Sequence, residues 1–275
     1  MNKFKSFLKR IIKLVRLDEM SILPGHLAFN IVLMIVPIFS LIGVLSSSIG
    51  VNQLLTSLTN NIPNAVYEII ESALNIKNNN FNLILFTIFS FWIVSGGCRA
   101  IITSSNILYR VKDYSKILNI IKSFFMVIIL FLLIAFMIVV PVLGDMIVNF
   151  ISRLFNEDSM LIIANIYHFF KYPLSIILMF IAIKLLYTIS PSVKVKSDCM
   201  DLGAWFTTIS WFTITRIYSY HLNNYSNYNV YYGSLSNILI LLVWVYLLAY
   251  LFVIGMALNA DSYLVSQDNK EKNIE

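Results

Sequence analysis

Few residues in this chain could do chemistry: 12% of its 275 residues are Asp, Glu, Lys or Arg, and three are His. Those that fall inside long apolar stretches are functional candidates, because a charge at the centre of a bilayer costs roughly 2.5–3.5 kcal/mol on insertion scales. Arg216 leads the set, with Thr213 and Tyr220 on the same helical face. Its guanidinium could snorkel outward, pair with Asp145, or bind an anionic headgroup or substrate. His26 and Asn30 share one face four residues apart, where an imidazole could couple to protons or bond a neighbouring helix. Arg99, Lys122 and Lys184 lie close enough to the ends of their stretches for the long side chains to snorkel. Asp145 and Asp261 sit at stretch ends and are expected in water.

No catalytic constellation accompanies these residues. The histidines (His26, His168, His221) fall on separate segments, with no HExxH and no Cys/His cluster, so no metal and no cofactor is expected. A GxSxG elbow and a phosphate loop are both missing. Ser6-x-x-Lys9 is a spacing that chance supplies on a basic helix, and Glu68/Glu71 and Glu157/Asp158 read as solvated faces. The expectation is that the chain is not an enzyme.

The elements that would position the candidates follow from apolar run length. The chain is 59% hydrophobic, whereas soluble domains carry about 45–50% apolar and about 25% charged residues. So little charge cannot coat a soluble globule, but it can cover the two ends of a bundle whose flanks touch lipid. A span needs about 20 mostly apolar residues, and six candidates qualify: 22–49, 81–102, 117–143, 172–189, 202–220 and 235–260. The first and fifth are the most polar and are expected to face the bundle interior. Residues 1–20 form an amphipathic surface helix, with Phe4, Phe7, Leu8, Ile11, Ile12 and Val15 on one side and Lys5, Lys9, Lys13 and Arg16 on the other. Val51 to Asn80 reads as one or two amphipathic helices broken at Pro63.

Charge sets the orientation. Thirteen Lys/Arg fall on the N-terminus, the loops after spans two and four, and the 261–275 tail, against three on the opposite loops. The positive-inside rule makes the thirteen cytoplasmic. The expected fold is therefore all-α: a single polytopic membrane domain, 1–275, with six spans and both termini in the cytoplasm. Tyr218, Tyr220, Tyr225, Tyr228, Tyr231 and Tyr232 would mark the outer interface. Anionic lipid headgroups are the expected partner of the basic N-terminal helix; nucleic acid is not expected, and a homo-oligomer is left open. Cys98 and Cys199 both fall near the cytoplasmic face, where a disulfide is not expected. No signal peptide is expected.

Four segments in order carry a family resemblance: DEMSILPGHLAFNIVLMIVPIFSLIG (Asp18 to Gly43), SSNILYRV (Ser104 to Val111), LYTISPSVKVK (Leu186 to Lys196) followed by Gly203-Ala204-Trp205, and YGSLSNILILLVWVYLLAYLFVIGMALNA (Tyr232 to Ala260). Together they resemble the YihY/virulence-factor BrkB family of bacterial inner-membrane proteins over nearly the whole chain. YGSL followed by Trp244, Tyr246 and Gly255 is the best single piece. The resemblance implies a multi-pass protein of the bacterial cytoplasmic membrane, a transporter or an envelope-lipid-handling protein. It adds Asn106 and Asn259 to the substrate-path candidates. Members commonly have a Glu where this chain has Ala257, so any role of that acid would pass to Asn259 or Asp261. An older ribonuclease BN label also attaches to the family, and nothing in this sequence supports RNA cleavage.

Two functions remain in view. A transporter would gather Arg216, Asn30 and His26 around a polar path, with prolines such as Pro24, Pro37 and Pro191 permitting movement. A non-transporting scaffold, recruiting partners at the cytoplasmic face, would be a dry bundle.

Overall fold

The computed structural model describes residues 2–45, 80–111, 115–131, 157–225 and 233–271, and all regular structure among them is helical. Among the described residues there are seven α-helices: α1 (Asn2–Val15), α2 (Glu19–Leu45), α3 (Asn80–Leu108), α4 (116–131), α5 (Glu157–Ile189), α6 (Asp201–Tyr225) and α7 (Ser236–Glu271). Each expected span overlaps one of α2 to α7. Three stretches among the described residues are long and apolar enough to cross a membrane, Glu19–Ile38, Thr87–Leu108 and Ser236–Gln267, with Pro173–Ile189 a shorter apolar helix. Large apolar side chains stand exposed on α2, α3, α4 and α7, among them Ile22, Phe29, Trp92, Phe125 and Leu242. A patch of that extent suits contact with lipid. The expected amphipathic segment 51–80, apart from its last residue, and Asp145 lie outside the described residues.

Helix ends differ from the apolar run lengths. α5 begins at Glu157, so Glu157, Asp158 and Lys171, expected in an outer loop, are helical. α7 continues past Ala260 to Glu271, through most of the expected tail. A hydropathy window stops where apolar residues stop, but a helix already propagating adds a backbone bond per residue and runs on into polar sequence.

The hub of the bundle is α7, which packs against α1, α2, α3 and α6. Every residue from Phe252 to Ala260 is buried. The first and fifth spans, expected in the interior, both pack on this apolar helix, which is itself the centre. Small residues explain it, since without a hydrophobic force between helices in lipid, close backbone approach decides packing. A Cβ at Gly255 would meet the Tyr187 hydroxyl at 2.6 Å and the Gly203 carbonyl at 2.8 Å. A Cβ at Gly97 of α3 would run into the Met34 side chain of α2.

The polarity of α6 has a structural use. Its bonding residues recur about one helical turn apart and meet α7 rung by rung. The Gly203 amide donates to Asn259 Oδ1 at 2.9 Å, and Thr207 Oγ1 meets Tyr187 Oη at 2.7 Å, which in turn donates to the Phe252 carbonyl at 2.7 Å. Farther along, Trp211 Nε1 donates to the Leu248 carbonyl (2.8 Å), Trp244 Nε1 to Thr215 Oγ1 (3.3 Å) and Tyr218 Oη to the Ile240 carbonyl (3.0 Å). Tyr218 is therefore a buried rung and not part of an interfacial belt, whereas Tyr220 is exposed.

Candidate functional site

The polar residues that do converge lie at one end of the bundle, around the connection 190–200 between α5 and α6. Asn106, fully buried near the end of α3, accepts from the Ser192 amide at 2.8 Å. Lys122 of α4 donates to the Ser190 carbonyl at 3.0 Å and the Pro191 carbonyl at 2.6 Å. Ser192 Oγ bonds Asn119 Oδ1 at 3.2 Å. On the α6 side, Lys184 pairs with Asp201 at 2.6 Å, and Asn259 donates to the Met200 carbonyl at 3.2 Å. Tyr109 Oη reaches Met200 Sδ at 3.4 Å, its ring 5.5 Å from that of Tyr263. Burial, with Cys199 and Tyr263 adding to it, pushes the Tyr109 hydroxyl above its ordinary value of 10.0, so it remains a neutral donor. Five helices thus grip one short connection.

This clasp is not fully satisfied. The hydroxyls of Ser104, Ser105 and Ser190 and the Nδ2 of Asn106 are buried without a hydrogen-bond partner. Each such group costs about 1–3 kcal/mol, and orphans of this kind in native structures call for a function or a bound water.

The two candidates that resemblance supplied both lie in the clasp, Asn106 at Ser192 and Asn259 at Met200 and Gly203. Asn259 accepts the buried Gly203 N–H in the first turn of α6 from another helix, a capping role that a local side chain usually fills. The candidates drawn from polarity alone do not join them. Arg216 and His26 are exposed, and Asn30 Nδ2 donates to the His26 carbonyl of its own helix at 2.8 Å. Arg99 is half-buried, lying 5.8 Å from the ring of Trp92 on its own helix. Asp261, expected in water, instead accepts from Arg10 Nε at 2.6 Å. Lys122 and Lys184 do reach toward the helix ends, but find protein carbonyls and a carboxylate there. Ala257 is buried in the packed run of α7. Sequence reasoning missed Tyr187 and Thr207 and took Lys122 for a snorkelling residue; the signal that could have found Thr207 is the one-turn spacing of polar residues on α6.

Among the described residues no group of three His, Cys, Asp or Glu could hold a metal. The model of the virulence factor BrkB family matches residues 11–274. The chain belongs to that family. The ribonuclease-like protein YfkH of Bacillus subtilis (strain 168), so described in its name, is 26% identical over 261 residues, covering 93% of this chain and 94% of its own. No solved structure matches. In this BrkB-family chain the segments that carry the likeness supply Asn106, Tyr187, Gly203, Gly255 and Asn259, so the clasp and the α6–α7 seam are where they meet in space.

Proposed function

We propose that this membrane protein moves or rearranges an amphiphilic envelope substrate across the bacterial cytoplasmic membrane, with the polar clasp as its cytoplasmic gate. The observation that carries the reading is the set of buried, unpartnered polar groups at the clasp. A purely structural joint in lipid gains nothing from Ser104, Ser105, Ser190 and Asn106 Nδ2 left unpaired, whereas a joint that opens needs groups that water or substrate can satisfy. The topology in this proposal is six spans with both termini in the cytoplasm. Support comes from the meeting, at one end, of α1, the end of α3, the start of α4, the α5–α6 connection and residues 258–263 of α7, together with the thirteen-to-three charge bias. No enzymatic step is assigned, RNA cleavage included.

The test is transport by the full chain in proteoliposomes, with labelled lipid and solute panels. Cysteines at Asn119 and Ser192, in a Cys199→Ser background, allow the clasp to be cross-linked shut. Flux that stops on cross-linking and returns on reduction is the expected result. No flux above empty vesicles across a broad panel, or flux indifferent to the cross-link, would overturn the reading. A second reading, a scaffold that recruits partners at the cytoplasmic face, is favoured by the exposed positions of Arg216 and His26 and by the closely packed run Phe252 to Ala260. It predicts no flux and full function of the cross-linked protein.

A further inference from the structure

α1 has three faces, and only two of them are accounted for by the protein and by water. One face docks on the bundle. Leu14 is buried, Phe7 and Ile11 pack on the core, and the Phe7 ring stands edge-on to Phe206 of α6 at 6.5 Å. Arg10 bolts this face to α7: Nε to Asp261 at 2.6 Å, Nη2 to Ser262 Oγ at 2.7 Å and to the Leu258 carbonyl at 2.9 Å. A second face carries Lys5, Lys9, Lys13 and Arg16, all exposed. Between these lies a stripe of Leu8, Ile12 and Val15, left 42%, 53% and 37% exposed.

Because Arg10 and the docked apolar residues fix the rotation of α1, the stripe and the basic face cannot turn into the bundle. An apolar stripe bordered by ammonium and guanidinium groups fits a bilayer surface, with side chains sunk below the headgroups and cations at phosphate level. We propose that this outer face of α1 seats on an anionic leaflet, the cytoplasmic one, so that α1 is a brace between the lipid surface and the inner ends of α6 and α7. Ile22, early on α2, is exposed as well. Lys5, Lys9, Lys13 and Arg16 face lipid in this arrangement, whereas Arg10 is consumed by α7. The choice of leaflet rests on the orientation proposed above; the contact with lipid does not.

The experiment uses the full chain in a Cys199→Ser background, with Ile12→Cys carrying an environment-sensitive fluorophore. It is reconstituted in phosphatidylcholine vesicles with or without phosphatidylglycerol. The expected result is a blue-shifted label that is quenched by spin-labelled lipid and shielded from aqueous iodide in the anionic vesicles. The shielding is lost in the Lys5/Lys9/Lys13/Arg16→Gln variant and on raising salt, which screens surface charge. A label equally open to iodide with every lipid composition overturns the proposal. So does a label shielded already in detergent and cross-linkable to a second copy or a partner protein. Labelling of the native Cys199 from outside intact cells would overturn the orientation alone, and leave α1 on the opposite leaflet.

Discussion

Asn30 and Asn259 are the same residue type within apolar helices, and the structure assigns them opposite weights. Replacing Asn259 by Ala removes the acceptor of the Gly203 amide and the donor to the Met200 carbonyl, in a site 1% exposed. An orphaned buried donor costs about 1–3 kcal/mol. The Met200 carbonyl loses only its additional bond, and the vacated volume adds a fraction more at about 24 cal/mol per Å3. The loss comes to about 3 kcal/mol, or a fall in Tm of roughly 6–12 °C at the 2–4 °C per kcal/mol typical of larger domains. Asn30→Ala removes a bond on an exposed face between a side chain and its own helix. The gain in helix propensity offsets that loss, so its change stays within about 0.5 kcal/mol. Both variants are to be melted side by side in one detergent, following tryptophan fluorescence. If Asn259→Ala melts no lower than Asn30→Ala, then Asn259 is not a cap for α6 and the clasp has been misread.

Gly255→Ala is expected to lower the yield of folded protein sharply, because its Cβ collides with Thr207, Tyr187 and the Gly203 backbone. Gly25→Ala, where nothing lies within 4 Å, should be harmless in the same gel-filtration assay. Cys199 is exposed and Cys98 buried, so an impermeant maleimide should label one site, and in the proposed orientation only after cells are permeabilised. Reversing the latch with Arg10→Asp and Asp261→Arg together should recover part of what each single change loses. The coupling energy in that double-mutant cycle should be about 1 kcal/mol, modest because both groups are partly exposed. Arg216→Ala should leave both melting temperature and any measured flux unchanged, since the side chain is exposed.

Much of the architecture was legible in the residues, and most of the site was not. The helices α2 to α7 each overlap an expected apolar run, three of them long and apolar enough to cross a membrane, and the segments that resemble the BrkB family lie within the residues its model matches. The readings of individual side chains fared worse. Arg216 looked the strongest candidate because it is a charge in an apolar run, yet charge in a run says nothing about which way the helix faces. Lys122 looked like a snorkelling residue, and only the arrival of Pro191, sixty-nine residues later, makes it a clamp. Asn106 and Asn259 entered through resemblance, not through any local chemical signal.

Membrane residence and the uneven distribution of Lys and Arg are decided along the chain, because insertion sums the transfer free energies of consecutive residues and the charge bias is a count along the sequence. Those the sequence determines by itself. Which helix is central, which polar group is satisfied and which basic residue turns inward are decided by residues far apart, such as Arg10 and Asp261, separated by 251 positions. Only the tertiary structure brings them within hydrogen-bond reach. In an apolar bundle, that contact decides whether a polar side chain is a cap, a latch or an unmet cost.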